Sequence, residues 1–181
     1  NSSQANKTGL SIQEMALQLS GNVDTWFRVA TTFSMEGTNQ FGLEELVLDL
    51  ERVREKTNIN KGHFIGHSLG GMITPAYAKK YPDKVLSVGM LSTVAGRSEN
   101  DSKKVWSVIK EMEENGVEKT LEKLTTRWFS DEFIANNSEL VTRRLKQVVD
   151  TDPDVFLNVF RIYAKTEMVS WLKDLSKPCL L

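Results

Sequence analysis

The stretch "HFIGHSLGGMI", residues 63–73, decides how this chain is read. An apolar run, "HFI", leads into Gly66-His67-Ser68-Leu69-Gly70, which fits the pattern G-x-S-x-G, and "LGGMITPAYAKKY" (69–81) then reads as a helix closed by Pro82. Strand before and helix after is the context in which that spacing has chemical meaning. A serine hydroxyl is a poor nucleophile unless it is exposed, oriented and set beside a base. A sharp turn from strand to helix supplies exposure and orientation, with the serine at the tip in a strained backbone conformation. Side chains two residues before and after it would collide across the turn, so Gly66 and Gly70 are the residues the turn needs. The helix points its positive end at the place where an oxyanion would form, and the Leu69 N–H is the expected donor. Ser68 is therefore the candidate nucleophile, with Gly66, His67 and Gly70 completing the elbow. Ala76 and Ala78 are small enough to let the helix lie close to a sheet. Pro75 removes a hydrogen bond to the Gly71 carbonyl and is expected to kink the helix.

Around this stretch, strand-like and helix-like segments alternate. "WFRVATTF" (26–33), "KGHFIG" (61–66) and "KVLSVGML" (84–91) read as strands, the middle one as a strand buried on both faces. "LEELVLDLERVREKT" (43–57) sets Leu43, Leu46, Leu50 and Val53 on one helical face. That order implies an α/β fold with a parallel sheet and helices packed on it. After residue 96 the texture changes to four helical periods, 98–116, 117–129, 138–150 and 153–165. Thr151 or Asp152 before Pro153 is a helix start, a capping oxygen followed by proline in the first turn. Residues 1–96 are thus expected to form the first part of the core, 97–166 an all-helical insertion, and 167–181 a return to the core, where Pro178 and "CLL" begin a strand.

Composition narrows the classes. Net charge is −1, with 26% charged and 40% hydrophobic residues, the profile of an ordinary globular chain with no bias toward nucleic acid. No apolar run approaches the ~20 residues of a membrane helix, and "NSSQANKTGL" lacks the layout of a signal peptide. The single cysteine, Cys179, has no internal partner and suits a reducing compartment, so a cytoplasmic location is expected.

The elbow and its flanks resemble the α/β-hydrolase superfamily. "GHFIGHSLGGMITPAYAKKYPDKVLSVGMLST" is similar to that superfamily's elbow, helix and next strand, and "EGTNQFGLEELVLDLERV" to the segment leading to the elbow. "RWFSDEF", "TDPDVFLNVF" and "LSKPCLL" resemble the lid and following strand of the 3-oxoadipate enol-lactonase and small esterase branch, with Phe156 where tyrosine is usual and Glu167 where aspartate is usual. The resemblance implies a parallel α/β-hydrolase sheet, here incomplete, with an all-helical lid over residues 97–166. It implies attack by Ser68 on a small carboxylic ester or lactone, an acyl-enzyme, and no metal or organic cofactor. Trp128 and Phe129, in "RWF", become the lid candidates for substrate contact. Arg127, Arg143, Arg144 and Arg161 are lid cations able to accept a substrate carboxylate, though each reads first as a solvated helix charge.

The resemblance also marks what is not here. Its order is serine, acid, histidine, and both partners are expected beyond Leu181. His67 is adjacent to Ser68 on the turn and His63 enters the strand at its far end, so neither is expected to be the base. The opening residues contain Gly9 but no His-Gly oxyanion loop, and "FSMEG" leaves Gly37 alone where a glycine-rich run is usual. The chain therefore reads as an internal piece of a longer hydrolase, barely active by itself and with an unpaired sheet edge. Alternatives are a C–C bond hydrolase or haloperoxidase of the same fold, or a non-catalytic relative that binds a small ligand. Haloalkane dehalogenase chemistry is disfavoured, because it needs an aspartate where Ser68 stands.

Overall fold

A computed structural model of the chain describes residues 10–11, 32–33 and 41–181. The first element after residue 40 is α1, Leu43–Lys56, whose Leu46 and Val47 are buried with Leu43 and Leu50 packed beside them. Glu45 accepts from the Gly42 N–H at 2.7 Å, and Glu44 and Glu45 lie at the positive end of the helix dipole, Arg54 and Lys56 at the negative end. The helix ends where Asn58 turns left-handed, with φ 55°.

Three parallel strands follow: β3, Gly62–His67; β4, Val85–Leu91; and β5, Cys179–Leu180, in the order β3-β4-β5. A separate antiparallel pair joins β1, Leu10–Ser11, to β2, Thr32–Phe33. Of the strand expected over 26–33, only Thr32 and Phe33 fall among the described residues, so Trp26 and its neighbours, like Gly9 and Gly37, lie outside them. Helix α2, Gly70–Lys80, crosses from β3 to β4 and ends at Tyr81, where Pro82–Lys84 form one 3₁₀ turn. Pro75 sits fully buried inside α2, and the helix continues through it.

Burial corrects one expectation. Among the described residues β3 is covered on one face: Phe64 packs into the main core, while Ile65 remains 37% exposed. The reason is layering. Residues of α1 and α2 join Phe64, Val88 and Met90 in one cluster. By the alternation of strand side chains, Ile65, Leu91 and Leu180 share the opposite face, and all three are exposed.

The link between α1 and α2 is polar as well as apolar. Arg54 donates to both oxygens of Glu51, each at 2.7 Å, and to the Ile59 carbonyl at 2.5 Å. The Tyr77 hydroxyl donates to the same carboxylate at 2.5 Å. The Arg54 guanidinium holds the Glu51 carboxyl below its ordinary value of 4.5, and burial raises the Tyr77 phenol above its own.

Beyond β4 come α3, Glu99–Asn115; α4, Val117–Trp128; α5, Asp131–Asn136; α6, Ser138–Val149; α7, Pro153–Lys165; and α8, Val169–Leu172. Ser98, Ser130 and Asp152 cap α3, α5 and α7 through side-chain oxygens. Gly116 joins α3 to α4 at φ 86°, a conformation that favours glycine. Helix α7 has two apolar faces: Val155, Val159 and Ile162 enter the main core, while Phe156, Leu157 and Phe160 enter a second cluster with Ile109, Met112, Leu121 and Leu124. Among the described residues, no helix is long and apolar enough to cross a membrane.

Two stability measurements test this arrangement. The lowered Glu51 value means its contribution is full above the ordinary carboxylate range and is lost as pH falls through the folded-state value. Glu51→Gln should therefore cost stability at about pH 7 in urea melts, and the cost should shrink as pH falls below the ordinary carboxylate range. Asp152→Ala, which removes the acceptor for the Asp154 and Val155 N–H groups, should lower unfolding free energy by about 1 kcal/mol in the same melts.

Candidate active site

β3 and α2 meet in a turn with no spare space. A Cβ on Gly66 would lie 2.0 Å from the Gly70 carbonyl oxygen, 2.1 Å from its carbon and 2.6 Å from the Gly71 nitrogen. Only glycine fits at position 66. The obstacle is the backbone at residue 70 rather than a side chain there, which differs from the collision expected from spacing. Gly71 is constrained as well: a Cβ there would stand 2.6 Å from Thr93 Cβ, a requirement the motif does not reveal.

Ser68 occupies the tip with φ 54°, in the left-handed region that non-glycine residues rarely adopt. Its backbone is held on both sides. The Ser68 N–H donates to the Leu91 carbonyl at 2.9 Å, and its own carbonyl accepts from the Gly71 N–H at 2.9 Å and from Thr93 Oγ1 at 2.8 Å. Leu69 is already helical, with φ −56° and ψ −39°, and its side chain packs against the main core. The serine side chain stays exposed. Among the described residues, the Leu69 and Gly70 N–H groups have no hydrogen-bond acceptor, so two donors are left open at the start of α2. The turn thus presents an exposed hydroxyl beside two N–H groups at the positive end of a helix.

The other candidates lie elsewhere. His67 is exposed beside Ser68 and pairs in register with Leu91; His63 Nδ1 meets Ser87 Oγ at 2.6 Å, five residues back along β3. Neither imidazole bonds to Ser68. Trp128 ends α4 and is 41% exposed; Phe129 follows it and stacks on Phe133 with ring centroids 5.6 Å apart. Among the described residues, no hydrogen bond or ring contact joins Trp128 or Phe129 to the elbow. Arg161 pairs with Glu113 at 2.6 Å, and Arg144 donates to Gln147 at 3.0 Å. Asp152 is a cap, as its position before Pro153 implies, whereas Asp131 and Asp154 lie in first helical turns. The most strongly shifted groups among the described residues, Arg54 and Tyr77, belong with Glu51 to the contact between α1 and α2 and not to the elbow.

An open cleft of about 540 Å³ lies where the start of α1 meets α7, lined by Phe41, Gly42, Glu45, Asn158, Arg161 and Lys165. Only Arg161 among these was singled out from sequence. Asn158 is buried there and donates to the Phe41 carbonyl at 2.6 Å, across 117 residues of chain. No periodicity announces a contact at such separation.

Comparison with known proteins bears on the whole arrangement. Residues 25–168 match the family model described as alpha/beta hydrolase fold. The chain is 29% identical over 148 residues to 3-oxoadipate enol-lactonase 1 of Acinetobacter baylyi, covering 81% of this chain and 53% of that protein. The crystal structure of the enol-lactonase from Burkholderia xenovorans LB400 superposes with a TM-score of 0.69 at 16% identity, over 77% of this chain and 53% of that one. A thermophilic esterase from Thermogutta terrifontis gives a TM-score of 0.68 at 19% identity, over 82% and 55%. The chain therefore spans about half the length of these relatives. With a parallel sheet, a glycine-bounded turn that holds Ser68 at its tip, and a family match across most of its length, this chain belongs to the α/β-hydrolase fold family.

Proposed function

We propose that this chain carries the nucleophile of a serine hydrolase that cleaves a small carboxylic ester or lactone. One observation carries the reading: Ser68 stands exposed at φ 54°, directly before the Leu69 N–H, which has no acceptor among the described residues, at the start of α2. In this reading Ser68 Oγ attacks the substrate carbonyl, and its proton passes to a base. The oxygen that becomes negative is held by the Leu69 N–H and by the helix dipole. The proton then goes to the leaving alkoxide, leaving an acyl-enzyme. Water attacks the acyl carbon, releases the acid and restores the serine.

The similarity to an Acinetobacter enol-lactonase supports the ester or lactone class. Since neither His63 nor His67 bonds to Ser68, the base in this reading is an imidazole outside the described residues, oriented by a carboxylate. Residues 97–166 act as the lid, and Trp128 and Phe129 are its substrate-facing aromatics. Cys179 is a free, exposed thiol, which suits a reducing compartment such as the cytoplasm.

A fluorophosphonate probe tests the nucleophile directly. With no imidazole of its own against the hydroxyl the chain should label slowly, Ser68 Oγ forming the bond to phosphorus while fluoride leaves, and peptide mass spectrometry should place a single adduct on Ser68. Ser68→Ala should remove that adduct and any turnover of p-nitrophenyl acetate, with circular dichroism unchanged. An adduct on another residue, or labelling that survives Ser68→Ala, overturns the assignment.

A further inference from the structure

We infer that Thr93 is a positioning residue for the oxyanion donor of the elbow, acting through the peptide unit that joins Ser68 to Leu69. The inference rests on the nucleophile reading above and extends it to a residue outside the motif. A peptide unit is rigid and planar, with its C=O and N–H on opposite sides. Whatever fixes the direction of the Ser68 carbonyl therefore fixes the aim of the Leu69 N–H. Two donors reach that carbonyl, the Gly71 N–H at 2.9 Å and Thr93 Oγ1 at 2.8 Å. Together they occupy both of its lone-pair positions. The Gly71 bond belongs to the helix and would turn with it; Thr93 lies two residues past the end of the neighbouring strand β4 and ties the peptide to that end of the sheet. A hydrogen bond accepted by a carbonyl also polarises its amide, so the same contact strengthens the N–H at the other end as a donor.

The surroundings are shaped to admit this side chain. Ser92 takes φ 47°, a left-handed turn immediately after β4. Left-handed residues thus stand at the ends of two adjacent parallel strands, Ser68 on one and Ser92 on the other. Between them the Ser68 N–H bonds to the Leu91 carbonyl at 2.9 Å. Gly71 leaves open the space that Thr93 fills, since a Cβ there would stand 2.6 Å from Thr93 Cβ and 2.9 Å from Cγ2. Thr93 Cβ, methyl and hydroxyl all border that notch, at 2.6, 2.9 and 3.0 Å from such a Cβ, and the hydroxyl also reaches the carbonyl.

Two variants separate the hydroxyl from the shape. Thr93→Val keeps the branched form and loses the donor; Thr93→Ser keeps the donor and loses the methyl. In fluorophosphonate titrations Thr93→Val should lower the maximal inactivation rate about three- to tenfold and leave the half-saturation concentration within about twofold, while Thr93→Ser stays within about twofold on both. The ¹⁵N resonance of Leu69 supplies a second readout that does not need a reacting serine: it should move in Thr93→Val and hold in Thr93→Ser. Wild-type labelling by Thr93→Val, an equal loss in both variants, or an unmoved Leu69 resonance in Thr93→Val overturns the inference. Labelling that survives Ser68→Ala instead overturns the nucleophile reading, and the Leu69 resonance still decides the Thr93 contact.

Discussion

The contact between Gly66 and Gly70, backbone against backbone, is the constraint on which the rest of this structure depends. With the Gly70 carbonyl oxygen 2.0 Å from where a Cβ on Gly66 would sit, strand and helix come as close as a polypeptide allows. The chain must reverse from extended to helical within a few residues, and the residue caught at the tip is driven to a positive φ. Holding a non-glycine residue there costs about 1–3 kcal/mol, and such strain persists only where the surroundings over-determine it. Here they do. The Leu91 carbonyl, the Gly71 N–H and the Thr93 hydroxyl hold the Ser68 backbone, and α2 is anchored by the buried Met72, Ile73, Tyr77 and Ala78.

That anchoring extends outward. Tyr77 packs its ring at a tilt against Phe64 of β3, centroids 4.7 Å apart, and donates to Glu51 of α1, so one side chain fastens the helix behind the elbow to both the sheet and the preceding helix. Helix α7 continues the same core, because Val155 and Ile162 are buried in it. The helical region is therefore not hung from the sheet by its two ends alone. At those ends, the Met168 N–H donates to the Ala95 carbonyl at 2.7 Å, and the Arg97 guanidinium lies 4.0 Å from the Tyr163 ring centroid. Gly96 passes between them where a Cβ would strike Val169 and Glu167.

Several of these features were legible in the sequence because they depend on neighbours along the chain. The amphipathic period of α1, the run from β3 through α2 to β4, and the Asp152-Pro153 helix start are local patterns with local causes. Other features were not. Helix α5 spans six residues, too few to show a period, and only its Ser130 cap marks it. The one-sided burial of β3 escaped because an apolar strand reads alike whether one face or both are covered; Ile65 and Phe64 differ in surroundings, not in type. The cleft at Phe41 and Asn158 joins residues far apart in the chain, and Arg161 gave no sign of whether it faces solvent, substrate or Glu113.

By itself, the sequence determined which serine stands at the tip of the turn and that Gly66 precedes it, since a turn that tight excludes a side chain at position 66 whatever surrounds it. It also set the order of strands and helices, because hydrophobic period is a property of consecutive residues. Tertiary structure alone decided that Thr93 reaches the Ser68 carbonyl, that Gly71 must make room for it, and that α7 divides its faces between two cores. Each of these turns on distances between segments that only packing brings together, and no local preference of the chain encodes a distance of that kind.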